Sequence, residues 1–105
     1  MLTKKPNFDI PHPGELLKEI LDEMELSQYR FAKLSGIDPA VLSGIIAGKR
    51  RITIETAIRI GRVFNCGARD WVNHQVSYDL DLAQKEKAAE FDKIKPLSAC
   101  EFSLA

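Results

Sequence analysis

Residues 28–53 read QYRFAKLSGIDPAVLSGIIAGKRRIT, and this segment is the most informative about the fold. It contains two short apolar segments, which are separated by Gly36 and closed by Gly48. Ser27 and Asp38 precede these segments, and their side-chain oxygens suit the N-cap position of a helix. Glycine suits the left-handed residue that ends one. Two short helices joined by a glycine-containing turn form a helix-turn-helix unit, which the spacing predicts here.

Similar capping residues, prolines and glycines predict three more helices outside this segment. The first begins at Pro13, the fourth follows Thr53, and the fifth extends from about residue 68 to residue 91. No segment shows the apolar–polar alternation of a strand. The predicted fold class is therefore all-α, with five helices and a long C-terminal helix. The predicted organisation is an N-terminal tail (1–11), a helix-turn-helix domain (12–66), a C-terminal helix continuous with it (67–92) and a tail (93–105).

The formal net charge of zero hides an uneven distribution. Residues 28–69 carry eight basic and only two acidic groups, whereas residues 1–27 and residues 70–105 each carry a net charge of −3. A basic centre between two acidic ends predicts two surfaces with different partners, of which the basic one suits a polyanion.

Composition excludes several classes of protein. The chain has 105 residues, 45% of them hydrophobic, and its apolar runs are shorter than a membrane span requires. Its N-terminus has charge but no apolar segment typical of a secretory signal. Cys66 and Cys100 are isolated, which predicts buried or free thiols in a reducing cytoplasm. His12 and His74 lack partners at the spacing of a catalytic triad or metal set, so we expect no enzyme activity, metal or cofactor.

A nucleic-acid surface is predicted around the second of the two short helices. Gln28 stands at a helix N-terminus, where backbone N–H groups attract phosphate, and a run of three cations follows the next helix. That helix itself offers only small residues for contact with bases, so we expect salt-sensitive binding with modest sequence discrimination. Loss of Arg50 and Arg51 together is expected to lower the salt slope by about two. The predicted DNA-binding residues are Gln28, Arg30, Pro39, Ala40, Val41, Ser43, Gly44, Lys49, Arg50 and Arg51.

Four motifs carry a resemblance to a known family. They are HPGE at 12–15, LSQ at 26–28, AGKRRIT at 47–53 and WVNxQxxYDL at 71–80. Across residues 12–82 the chain resembles HigA-type antitoxins, or VapI-like plasmid-maintenance antidotes, within the Cro/C1-like (XRE) helix-turn-helix family. The resemblance implies a cytoplasmic homodimer that binds double-stranded operator DNA, represses its own operon and neutralises a HigB-like ribonuclease toxin.

The sequence departs from that family at two places. Gly44 stands where such proteins often carry Arg or Gln, and residues 67–70 replace the usual start of the fifth helix. Two alternatives therefore stay open: a stand-alone Cro/C1-like transcriptional regulator, and a protein inhibitor whose DNA binding has degenerated.

The fifth helix is predicted to carry a dimer or partner surface. Its length exceeds what one side of a small bundle needs, so its outer part has room to meet another chain. Apolar and polar side chains recur there at helical spacing, although Trp71 also suits the core. The predicted surface comprises Trp71, Gln75, Tyr78, Asp79 and Leu80.

Overall fold

The computed structural model describes residues 10–97, and that part of the chain consists of six helices joined by short connections. Their bounds are α1 Pro13–Glu23, α2 Gln28–Ser35, α3 Pro39–Ile46, α4 Ile54–Phe64, α5 Arg69–Glu86 and α6 Ala88–Phe91. The predicted all-α helix-turn-helix fold is confirmed. The predicted tails lie largely outside the described residues, as does Cys100.

Each of the first four helices begins at a residue whose side chain caps it. The caps accept hydrogen bonds from first-turn N–H groups that have no partner within the helix, and each such cap is worth about 1 kcal/mol. Gly36 ends α2 with φ of +74°, the left-handed conformation expected of it. The capping side chains are His12, Ser27, Asp38 and Thr53.

One apolar core joins the first five helices. Helix α1 packs against α3 and α5, α2 against α3 and α4, and α4 against α5. The Phe31 and Phe64 rings stack with centroids 5.3 Å apart, and Trp71 brings the start of α5 into this core. The buried apolar residues are Leu17, Leu21, Phe31, Ala32, Ile37, Leu42, Ile45, Ile52, Ala57, Ile60 and Trp71.

The start of α1 approaches the end of α3 so closely that it needs a glycine. A Cβ atom built on Gly14 would lie 1.8 Å from the backbone oxygen of Ile45. His12 accepts a hydrogen bond of 2.9 Å from the Gly14 N–H through Nδ1, and Pro13 occupies the first helical position. The HPGE motif therefore positions α1 directly against the helix-turn-helix unit.

The predicted fifth helix is interrupted, which corrects its expected extent. Lys87 has φ −119° and ψ 28°, outside the helical region, and separates α5 from the four-residue α6. Neither glycine nor proline marks this position, and the residues from 82 to 97 are exposed, so no core contact determines the path of the chain there. The start of α5 at Ala68 has no side-chain cap, in keeping with the unusual sequence at 67–70.

Candidate nucleic-acid interface

Helix α3 turns one apolar side inward and a nearly bare side outward. Leu42 and Ile45 are buried and fix the helix to the core. The opposite side carries only small side chains, so another molecule can approach the helix backbone closely. Its residues, exposed or half-buried, are Pro39, Ala40, Val41, Ser43 and Gly44.

A basic loop, residues 49–51, follows α3, and Arg50 in this loop lies back across the outward side of that helix. A Cβ atom on Gly44 would stand 2.7 Å from Arg50 Cδ and 2.9 Å from Cγ, so the absence of a side chain at Gly44 makes room for the arginine. Among the described residues the Arg50 guanidinium has no hydrogen-bond or ion-pair partner. Arg50 thus supplies the long polar side chain that α3 lacks.

The side chain of Arg51 extends away from α3 and reaches α5. Its guanidinium forms an ion pair with Asp79. The other oxygen of Asp79 accepts a hydrogen bond of 2.9 Å from the Gln75 amide nitrogen. Gln75, only 2% exposed, accepts a bond of 2.7 Å from the Ile52 N–H through Oε1. Helix α5 therefore binds both the side chain of Arg51 and the backbone just after it.

The backbone of Arg50 is held from a second direction by His12. The His12 ring interacts with that backbone and meets the Tyr78 ring edge-on, with centroids 5.0 Å apart. We call His12, Gln75, Tyr78 and Asp79 together the loop clamp. Because its side chains come from the start of α1 and from α5, the position of the basic loop depends on both ends of the domain.

Two members of the loop clamp have shifted pKa values. Burial lowers the pKa of His12 below 6.5, outweighing the Arg50 hydrogen bond and the charge of Asp79, which raise it. Partial burial raises the pKa of Asp79, but hydrogen bonds from Arg51 and Gln75 outweigh it, and the pKa lies below 3.8. Near neutral pH the clamp therefore holds a neutral histidine and an ionised carboxylate.

The basic loop forms one wall of an open cleft of about 710 Å³ beside α3. Two acidic groups reach this cleft, but both are engaged: Asp38 caps α3, and Glu55 pairs with Arg59 at 3.1 Å. Since Lys49 and Arg50 keep their charges uncompensated among the described residues, the cleft suits a polyanion. Its charged lining comprises Lys49, Arg50, Arg51, Arg59, Asp38 and Glu55.

The predicted residues of α2 lie beside this cleft rather than in it. Gln28 and Arg30 are exposed in the first turn of α2, and Arg30 lines a separate groove. A further groove, lined by Tyr29, Lys33 and Pro39, borders the cleft, since residues 36–38 line both.

Lys33 and Arg59 were not among the predicted site residues. The Lys33 ammonium lies 4.8 Å from the centre of the Tyr29 ring, and Arg59 lines the cleft. Both contribute to the basic excess of residues 28–69, which was the signal that could have identified them.

Two of the five residues of the predicted partner surface lie in the core. Trp71 and Gln75 are 5% and 2% exposed, because they fill the core and bind the basic loop. Tyr78 and Asp79 are half-buried and belong to the loop clamp, so of the five residues only Leu80 is exposed. The exposed stripe on α5 runs instead through Val76 and Leu80, which are 52% and 56% exposed.

Residues 10–97 contain no group of three or more side chains arranged to hold a metal ion. Within the same range, none of the helices is long and apolar enough to cross a membrane. Cys66 carries a free, exposed thiol.

Two short helices that are joined by a glycine-containing turn, the second of them facing outward, define the class of helix-turn-helix proteins. A family model described as helix-turn-helix matches residues 17–71, which is more than half of the chain. The chain therefore belongs to this helix-turn-helix family.

Individual proteins within this class are similar to the chain over most of its length. Virulence-associated protein I of Dichelobacter nodosus is 40% identical over 88 residues, which cover 83% of this chain and 81% of that protein. An addiction module antidote protein of the HigA family from Coxiella burnetii superposes with a TM-score of 0.82 at 32% identity, covering 86% of this chain and 100% of that one.

A structure described as Pseudomonas aeruginosa antitoxin HigA with higBA promoter is similar to the same degree. It gives a TM-score of 0.81 at 32% identity and covers 85% of this chain and 99% of that one. The resemblance to HigA-type antitoxins that the four sequence motifs indicated is thus confirmed.

Proposed function

We propose that this chain is the DNA-binding antitoxin of a cytoplasmic toxin–antitoxin pair, which represses its own operon and neutralises a HigB-like ribonuclease. The observation that carries the DNA-binding part is Arg50, which lies without a partner across the outward side of α3. The Pseudomonas aeruginosa relative described with its promoter supports the same conclusion.

The geometry suggests how a duplex is bound. The major groove is about 12 Å wide and admits a helix, and the small outward residues of α3 let that helix sit deep in it. Ala40 and Val41 then contact thymine methyl groups, and Ser43 offers one hydroxyl. Lys49 and the N–H groups at the start of α2, beside Gln28, bind phosphates.

Arg50 is the long side chain placed to reach a base edge. A bidentate contact of an arginine with guanine discriminates by about 1–3 kcal/mol, whereas phosphate contacts discriminate hardly at all. Sequence discrimination in this chain therefore depends mainly on Arg50 and on the shape of the groove.

A gel mobility-shift assay on the promoter region of the chain's own gene tests DNA binding. Arg50→Ala is expected to weaken binding at least fivefold, the lower limit for loss of a base contact. Arg62→Ala is the matched control, because it removes an equal charge from an exposed position of α4 that lies outside the cleft. Equal effects of the two substitutions would contradict the proposed binding surface.

Dimerisation through α5 is part of the proposal. Helix-turn-helix dimers bind two half-sites about one DNA turn apart, and Val76 and Leu80 form an exposed apolar stripe at i, i+4 spacing. The double substitution Val76→Glu, Leu80→Glu is expected to convert the dimer to a monomer in sedimentation velocity. A wild-type chain that is monomeric at tens of micromolar would rule out this part.

Toxin neutralisation is tested by co-expression with the protein encoded beside this gene. The acidic groups of α1, including Glu19 and Glu23, offer a surface complementary to a basic ribonuclease. We expect the two proteins to purify together and the ribonuclease activity to be lost. DNA binding without toxin binding would leave a stand-alone regulator, and toxin binding without DNA binding would leave a protein inhibitor.

A further inference from the structure

Arg51 sits in the basic loop beside Arg50, but its charge is already matched within the chain. Its ion-pair partner Asp79 lies on α5, 28 residues further along the sequence. The two side chains are 58% and 40% exposed, so solvent and a bound polyanion both have access to the pair. Arg51 can therefore exchange Asp79 for a phosphate only by giving up an existing contact.

The carboxylate of Asp79 is held in place for this contact. Its Oδ1 accepts from the Gln75 amide nitrogen at 2.9 Å, and Gln75 is itself fixed by the Ile52 N–H at 2.7 Å. Because Gln75 is buried, the orientation of Asp79 does not have to be re-established each time Arg51 returns to it. A carboxylate also presents two oxygens to a guanidinium much as a phosphate does.

We propose that Asp79 acts as an internal substitute for phosphate, which keeps Arg51 out of the DNA contacts and thereby limits the affinity of this chain for any duplex. This inference rests on the proposed DNA binding. It assigns different roles to the two arginines: Arg50 contacts the duplex, and Arg51 remains with α5. Asp79 is a positioning residue, since it acts on DNA only through Arg51.

Salt dependence separates this role from a purely structural one. Each phosphate contact to B-DNA adds about 0.9 to the slope of log K against log salt concentration. In Asp79→Asn the Gln75 amide keeps an oxygen acceptor, while Arg51 loses its charged partner. The slope is expected to steepen by about 0.9, so the ratio of affinities at 50 mM and 200 mM salt grows three- to fourfold.

The affinity itself is expected to rise about two- to fivefold in Asp79→Asn, because Arg51 then gains a phosphate contact that its ion pair with Asp79 prevents in the wild type, and an exposed charge pair is worth a factor of about this size. The rise is expected for operator and unrelated duplexes alike. Asp81→Asn is the matched control, because it removes another carboxylate of α5, which forms an ion pair with Lys85 at 3.0 Å. Asp81→Asn is expected to leave the slope unchanged.

Arg51→Ala provides a second arm that does not require any change in α5. In the wild-type background it is expected to leave the slope within about 0.3 of the wild-type value. In the Asp79→Asn background Arg51→Ala is expected to return the slope to the wild-type value. Circular dichroism melts confirm that each variant is folded.

Three outcomes would overturn the inference while leaving DNA binding intact. They are a loss of about 0.9 in slope from Arg51→Ala alone, an unchanged slope in Asp79→Asn, and an equal effect of Asp79→Asn and Asp81→Asn. Should Asp79→Asn not fold, the Arg51→Ala measurement decides alone. A wild-type chain that does not bind its promoter would instead overturn the proposed function, and this inference with it.

Discussion

The two sides of the basic loop differ more than their sequence suggests. Toward α3, Arg50 lies over Gly44 and has no charged partner among the described residues. Toward α5, Arg51 meets Asp79, and the adjoining backbone is bound by Gln75. A run of cations in a sequence therefore gives only an upper limit on the number of its phosphate contacts. Because Arg51 is paired with Asp79, the expected loss of salt slope on removing both arginines falls from about two units to at most about one.

The largest expected effect comes from Gln75→Leu, which removes contacts between α5 and the basic loop. The substitution leaves the buried Ile52 N–H without an acceptor and takes a donor from Asp79. We expect the free energy of unfolding to fall by about 1–3 kcal/mol, the cost of a buried unsatisfied group. Urea denaturation measures it.

The control for this change is Gln84→Leu, at an exposed position of the same helix. Because it disturbs no buried contact, its effect should stay within about 0.5 kcal/mol. Comparable losses in the two variants would mean that Gln75 is an ordinary helix residue and that α5 does not support the basic loop.

Acidification is expected to weaken the loop clamp through His12. The pKa of His12 is below 6.5 in the folded chain because of burial, so the unfolded chain binds more protons as the pH falls through 6.5. The free energy of unfolding is therefore constant above that pH and decreases below it, by at most about 1.4 kcal/mol per pH unit. Denaturation midpoints between pH 5 and 7.5 check this slope.

His12→Asn tests the origin of that pH dependence. Asparagine is a good N-cap, so it preserves an acceptor for the Gly14 N–H while removing the titrating ring. Other titratable groups near His12 are Glu15, His74 and Asp79. If His12→Asn keeps the wild-type dependence and His74→Asn removes it, the assignment to His12 is wrong.

A smaller change in stability is expected from adding a side chain at Gly44, where Arg50 lies across α3. Gly44→Ala replaces a helical glycine, which favours the folded state by about 0.8 kcal/mol, provided that the flexible Arg50 side chain moves aside. Because Arg50 then leaves the outward side of α3, DNA affinity should fall while stability rises. Thermal melts and mobility shifts follow the two quantities.

A double-mutant comparison sharpens this prediction. In an Arg50→Ala background, Gly44→Ala should still raise stability and should no longer change DNA affinity. An affinity loss that persists in that background would show that the new methyl group itself obstructs the duplex.

The helix starts, the turn at Gly36 and the contribution of Trp71 to the core could be predicted because they follow local rules. An N-cap bonds within its own first turn, and a turn glycine is recognised by its neighbours. The burial of Gln75 could not be predicted, since Gln75 lies on the same helix as the exposed Leu80, and helical spacing alone does not show which side is buried. The break at Lys87 has no sequence signal at all.

By itself, the sequence determined that this chain is a helix-turn-helix protein with a cationic centre. That information lies in caps, glycines and apolar spacing, which act over three or four residues, and in composition. Only the tertiary structure decided which cations remain available to a partner. The reason is that Arg51 is neutralised by a carboxylate 28 residues away, and Arg50 is left free by the missing side chain of Gly44. Both relations depend on how helices pack, and packing brings together residues that no local pattern connects.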